Sequence, residues 1–272
     1  MTIDVAGFIV SHLNQIPLET LLILFLGAFA AGIIDAIVGG GGLISVPLFL
    51  LALGPNASAI GTNKVAAVAA QLAAFAVYYK NRQVDGSRAQ SYFFLTAFGA
   101  ILGAWAAPKL PLAFFQYFLL VVAPLVLLMV FNKNAWQRPP DALIRPRLAL
   151  VGTFLAGLYD GVAGPGGGTL MFLSLYLLGG FPVALAMGTG KLANLGSASS
   201  SLVTFAAQGQ VHWFLGTVAA IPIAIGAWLG ARFVTKLKHG ESQEERARKI
   251  ARFALVVVST MLIGRWLYSS IS

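Results

Sequence analysis

Residues 32–43 read GIIDAIVGGGGL. A carboxylate, Asp35, sits inside an apolar run, and four residues later Gly39, Gly40, Gly41 and Gly42 interrupt the helix that the run would form. Each glycine in a helix interior costs about 1 kcal/mol relative to alanine, so a run of four ends a helix. Residues 157–170 repeat the pattern as GLYDGVAGPGGGTL, with Asp160 followed by Gly164, Gly166, Gly167 and Gly168. A pattern that occurs twice calls for a comparison of the whole chain with itself.

At an offset of 125, Gly27, Phe29, Gly32, Asp35 and Gly39 fall on Gly152, Phe154, Gly157, Asp160 and Gly164. Beyond the glycine tracts the offset becomes 127, and AIGTNK (59–64) falls on AMGTGK (186–191). Gln83–Val84 then fall on Gln210–Val211, and GAILGA (99–104) on GAWLGA (226–231). The matches keep their order, so the chain reads as two homologous halves.

The 272 residues are 58% hydrophobic and 10% charged. Soluble domains carry about 25% charged residues. The apolar residues form long blocks, and a bilayer crossing needs about 20 of them. The reading is an all-α polytopic membrane protein with about five hydrophobic segments per half. These lie near 19–38, 43–54, 59–79, 90–107 and 112–131, then 147–163, 169–181, 185–206, 212–234 and 250–270. Segments 43–54 and 169–181 are too short to cross; twelve residues rise about 18 Å against a core of about 30 Å, so they read as half-helices or re-entrant hairpins. The organisation is a lead-in (1–18), a first repeat (19–131), a linker (132–147) and a second repeat (148–272). A β-barrel would alternate polar and apolar residues, and the sequence does not.

The net charge of +9 comes mainly from loops between spans, where it sets orientation rather than binding nucleic acid. Lys80, Arg82 and Arg88, the linker, and residues 236–252 are basic, and these loops fall on one side, expected to be cytoplasmic. Both termini then face outward, in a bacterial inner membrane. The equivalents of the two basic loops, 207–212 and 108–111, hold only Lys109 between them. Opposite charge bias in equivalent loops predicts repeats of inverted topology, a pattern of many secondary transporters.

The candidate site is the set of polar groups inside the spans. Asp35 and Asp160 read either as headgroup-level caps or as cavity-facing groups that hold a coupling ion or a lysine. Helices restarting after the glycine tracts present free N–H groups and a positive dipole end, suited to an anion; the plainer reading of the glycines is close helix packing. Lys64 and Lys191 lie about a turn inside their helices, either snorkelling or lining a polar path with Thr62, Asn63, Thr189 and Asn194. Helical spacing puts Lys191, Asn194 and Ser197 on one face. The three histidines are not spaced as metal ligands, and the chain has no cysteine and no Gly-x-Ser-x-Gly motif, so no metal, cofactor or hydrolase chemistry is expected.

The motif Gly-x-x-Asp-x-x-x-Gly-Gly-Gly-Gly, the Thr-Asn-Lys at 62–64 and the later Tyr-Asp-Gly-x-x-Gly-Pro-Gly-Gly-Gly resemble the sulfite exporter TauE/SafE family over nearly the whole chain. The second half departs from it with Thr-Gly-Lys at 189–191. The resemblance implies a membrane transporter, not an enzyme, exporting sulfite, an organosulfonate or a related sulfur anion. A small anionic substrate, with a proton or Na⁺ as the coupling ion, is the expected partner besides the bilayer. Two other readings stay open at this stage: cation transport through Asp35 and Asp160, and a membrane assembly factor without a transport cycle.

Overall fold

The computed structural model describes residues 18–54, 56–111 and 143–236, and every regular element among them is helical. The first half holds α1 (Leu18–Val38), α2 (Gly42–Leu53), α3 (Ala57–Lys80) and α4 (Ala89–Ala106), the last extended by a 3₁₀ turn, Ala107–Lys109. The second half holds α5 (Pro146–Val162), α6 (Gly167–Leu173) running into a π turn (Ser174–Leu178), α7 (Val183–Ala207) and α8 (Trp213–Lys236). The fifth segment expected in each half, the lead-in, most of the linker and the basic stretch after Lys236 lie outside the described residues.

Both glycine tracts break the chain as expected. α1 stops at Val38 and α5 at Val162; α2 and α6 restart at Gly42 and Gly167. The second restart comes two residues earlier than the sequence reading placed it. Gly167 and Gly168 enter the helix because their missing side chains leave room for Asp160 and for Asn194 with Gly39, respectively.

Among the described residues three helices are long and apolar enough to cross a membrane: α3, α4 with its 3₁₀ extension, and α8. The 25 residues of α7 are diluted by Lys191, Asn194, Ser197 and Ser201, all buried. Likewise α3 buries Thr62, Asn63, Lys64 and Gln71. So α3 and α7 carry polar groups into the interior. Large exposed apolar side chains sit on α1 (Leu22, Leu26), α4 (Phe94, Phe98) and α8 (Ile221, Phe233), where a protein in water would place polar ones.

Glycines set the packing. On α1 a Cβ at Gly32 would overlap the carbonyl of Ile223 on α8, and one at Gly226 would overlap that of Phe29. On α5 a Cβ at Gly157 would overlap the carbonyl of Thr96 on α4, and one at Gly99 that of Phe154. Without side chains there, backbones touch directly, as small residues permit between membrane helices. The two sets correspond at the offsets of 125 and 127, so α1 against α8 and α5 against α4 are one pairing with the halves exchanged.

The central pair runs antiparallel. Thr62, near the start of α3, accepts a hydrogen bond from His212 N just beyond α7, at 2.9 Å. Thr189, near the start of α7, accepts one from Asp85 N just beyond α3, also at 2.9 Å.

Candidate functional site

The site forms where the two breaks face α3 and α7. Asp35 is in the last turn of α1 and Asp160 in the last turn of α5. Carbonyls in a last helical turn lack intrahelical partners and carry the negative end of the dipole, so a cation is favoured there. Lys64, from α3, donates to both the Oδ2 and the main-chain carbonyl of Asp160, each at 2.7 Å. Lys191, from α7, does the same at Asp35, with Nζ 2.7 Å from Oδ2 and also bonded to the main-chain carbonyl. Each lysine therefore crosses to the aspartate of the other half. Lys64 and Lys191 are 1% and 4% exposed, so neither snorkels to the surface. Two uncompensated buried charges would each cost several kcal/mol; pairing and added hydrogen bonds make them tolerable.

The remaining capacity of the carboxylates is filled differently in the two halves. Asp35 accepts from Gln71 Nε2 through Oδ2 at 2.8 Å and from the Gly41 N–H through Oδ1 at 3.2 Å. Asp160 Oδ2 accepts from the Ser197 hydroxyl. The group that the start of α2 receives is thus the chain's own Asp35, where the sequence reading expected a substrate anion. Gly39 and Gly164 occupy equivalent positions with φ of +76° and +89°, a left-handed turn that glycine adopts without steric cost. Gly39 also lies against the backbone of Gly168, which brings the two breaks into contact. Tyr78 donates to Ala36 O at 2.8 Å and Tyr159 to Pro165 O at 2.6 Å, tying down the chain around each break.

Between these groups is a cavity of ≈ 20 Å³, about the room one water needs. Of the residues singled out from sequence, Asp35, Asp160, Lys64, Asn63, Asn194, Gly39, Gly41, Gly42, Gly164 and Gly168 line it. Lys191 stands behind Asp35, and Gly40, Gly166 and Gly167 shape the breaks without lining the cavity. Thr62 and Thr189 are buried but spend their oxygens on the loop amides, and they do not line it either. Sequence reasoning passed over Gln71 and Ser45, both lining residues. Gln71 had a signal: it is an amide within the alanine-rich stretch after Lys64, seven residues on and so on the same face. Asn63 Oδ1 and Gln71 Oε1 are buried without a hydrogen-bond partner. Among the described residues no group of three or more His, Asp or Glu could hold a metal ion.

The model of the family described as Sulfite exporter TauE/SafE matches residues 24–267. A "Probable membrane transporter protein" of Haemophilus influenzae is 31% identical over 257 residues, covering 93% of this chain and 97% of the relative. "Probable membrane transporter protein ORF9" of a Sinorhizobium species is 31% identical over 262 residues, covering 94% and 95%. "Probable membrane transporter protein YfcA" of Escherichia coli K12 is 28% identical over 250 residues, covering 91% and 90%. No solved structure gives a significant match. The helical architecture, the long apolar helices and matches that span nearly the full length agree: this multi-pass membrane protein belongs to the TauE/SafE sulfite exporter family of membrane transporters.

Proposed function

We propose that the protein is a secondary transporter that exports a small anion, a sulfur oxyanion such as sulfite or an organosulfonate, without converting it chemically. The observation that carries this reading is the pair of crossed, buried lysine–aspartate contacts, which tie the two halves together at the glycine breaks. A lysine held by a carboxylate is a cation that a substrate anion can borrow. In the closed arrangement the cavity is neutral and smaller than any sulfur oxyanion. Substrate binding therefore requires the halves to part, and Lys64, Asn63 and Asn194 would donate to the anion's oxygens while Asp160 gives up its share of Lys64. Alternate parting of the contacts toward each side is the rocking expected of inverted repeats. The antiparallel α3–α7 pair and the exchanged glycine pairings support that inversion.

Orientation in a bacterial inner membrane follows the basic residues. The helix directions put Lys80, Arg82, Arg88, Arg145, Arg147, Arg232 and Lys236 on one side and Lys109 on the other. The basic side is cytoplasmic by the positive-inside rule. An inside-negative potential then favours outward movement of a monoanion by about 2.3 kcal/mol per 100 mV, which supports export.

A coupling cation has one supporting observation. Asn63 and Gln71 each offer a buried oxygen with no donor, beside Asp35. A proton or Na⁺ bound there on the return step would enter in exchange for the exported anion, adding to the outward drive.

The test is efflux of sulfite, sulfoacetate and taurine from proteoliposomes, with imposed potential, pH and Na⁺ gradients. Efflux of a sulfur anion, lost in Lys64→Met, is expected. Movement of inorganic cations alone would replace the anion reading with the aspartate-centred cation one, and movement of no solute would revive the assembly-factor reading.

A further inference from the structure

α3 and α8 end side by side on the basic face, and a groove of ≈ 320 Å³ lies between their last turns. Its rim carries Lys80, Arg232 and Lys236, with Asn81 beside them. The Arg232 guanidinium lies 4.2 Å above the Trp228 ring. Among the described residues the ion pairs are the two at the centre, so within that set these three cations have no carboxylate partner. Trp228 is 40% exposed, as an aromatic at the boundary between hydrocarbon and headgroups is placed.

Toward the membrane interior the groove continues as an apolar lane. Ile221 and Ile225 are exposed and fall on the same stripe of α8 as Trp228 and Arg232, at spacings of four, three and four residues. Leu72, also exposed, lies two turns before Lys80 on the same stripe of α3. A ligand that fits has a negative head at the surface and a long apolar tail below it.

We propose that this groove binds an anionic glycerophospholipid of the cytoplasmic leaflet. The phosphate sits among Lys80, Arg232 and Lys236, the glycerol against Trp228, and an acyl chain along Ile225, Ile221 and Leu72. Basic pockets between membrane helices on the cytoplasmic side suit such headgroups. A soluble phosphate would satisfy the cations but has no use for the apolar lane, and this decides for lipid. The inference is independent of the transported substrate, because the groove shares no residue with the central cavity.

The experiment is a lipid titration of the purified protein by native mass spectrometry, using phosphatidylglycerol, phosphatidylcholine and free sn-glycerol 3-phosphate. Phosphatidylglycerol is expected to bind at least about tenfold more tightly than phosphatidylcholine. That preference should vanish in the triple variant Lys80→Gln/Arg232→Gln/Lys236→Gln and persist in Lys109→Gln, whose cation is at the opposite side over Trp105. Trp228→Leu, which keeps all three charges, should weaken phosphatidylglycerol severalfold and tests the same groove if the triple variant does not fold. Equal binding of the two lipids overturns the proposal, as does a preference that survives both groove variants. Displacement of phosphatidylglycerol by equimolar glycerol 3-phosphate would also overturn it, by showing a soluble-anion site instead.

Discussion

The two crossed contacts share a skeleton and differ in their lining. At Asp35 the lysine has company: Gln71 and the Gly41 amide also donate to the carboxylate. At Asp160 the lysine is joined by Ser197. Asn63 beside Lys64 is matched by Gly190 beside Lys191, and Asn194 is matched by Ala67. Repetition therefore supplies the framework of breaks, aspartates and lysines, and divergence supplies the amides. Under the proposed function, a pocket with one set of amides would bind a single anion in one pose, where a fully symmetric one would offer two equivalent poses.

The largest expected effect comes from removing one lysine. Lys64→Met leaves Asp160 buried with one hydroxyl donor, and breaking a buried pair in this way costs about 3–5 kcal/mol. Lys191→Met leaves Asp35 with an amide side chain and a backbone N–H, so its cost is expected at about 2–3 kcal/mol, nearer that of a charged hydrogen bond. Denaturant unfolding of both variants in micelles measures the order. Equal costs, or Lys191→Met the worse, would show that the extra donors at Asp35 do not matter.

A double replacement separates folding from transport. Lys64→Met/Asp160→Leu removes both charges, and well-packed apolar replacements of a buried pair are often neutral or stabilising by about 1–4 kcal/mol. Stability should recover most of what Lys64→Met loses, while anion efflux stays abolished. Efflux that returns with stability would reduce the pair to a structural tie.

The glycine breaks allow a sharper comparison. An alanine at either Gly39 or Gly164 takes a left-handed conformation at a cost of about 1–2 kcal/mol. At Gly39 its Cβ also meets the backbone of Gly168, whereas at Gly164 the nearest atom is Val46 Cγ2 at 3.3 Å. A backbone cannot step aside as a side chain can. Gly39→Ala should therefore lower the melting temperature more than Gly164→Ala; the reverse order would mean that the contact between the breaks is loose.

Much of this was legible in the sequence, for local reasons. A glycine run ends a helix wherever it stands, so the breaks at Gly39–Gly42 and Gly164–Gly168 were readable, and the self-comparison supplied the equivalent positions. The four charged residues were readable too, because a charge in an apolar span is costly. Their partners were not. Asp35 and Lys191 are 156 residues apart, and nothing local distinguishes pairing within a half from pairing across halves. The threonines misled for a related reason. A hydroxyl two residues before a lysine points about 200° away from it on a helix, toward the opposite face, and Thr62 and Thr189 turn to the loop amides instead.

Those threonines give the smallest expected effect and the cleanest test of equivalence. Each hydroxyl accepts one hydrogen bond from a loop amide at 2.9 Å, His212 N for Thr62 and Asp85 N for Thr189. Thr→Val keeps the shape and leaves a single N–H without its acceptor, a loss of about 1–2 kcal/mol at each site. The loops differ in charge and in side of the membrane, but the bond is the same, so Thr62→Val and Thr189→Val should destabilise alike, to within about 0.5 kcal/mol, and add in the double variant because the sites are far apart. Neither should change the affinity for the proposed anion substrate, since neither residue lines the cavity. If one variant weakens anion binding and the other does not, that threonine reaches the substrate in a conformation where the halves have parted, and the asymmetry of the amides extends to the hydroxyls.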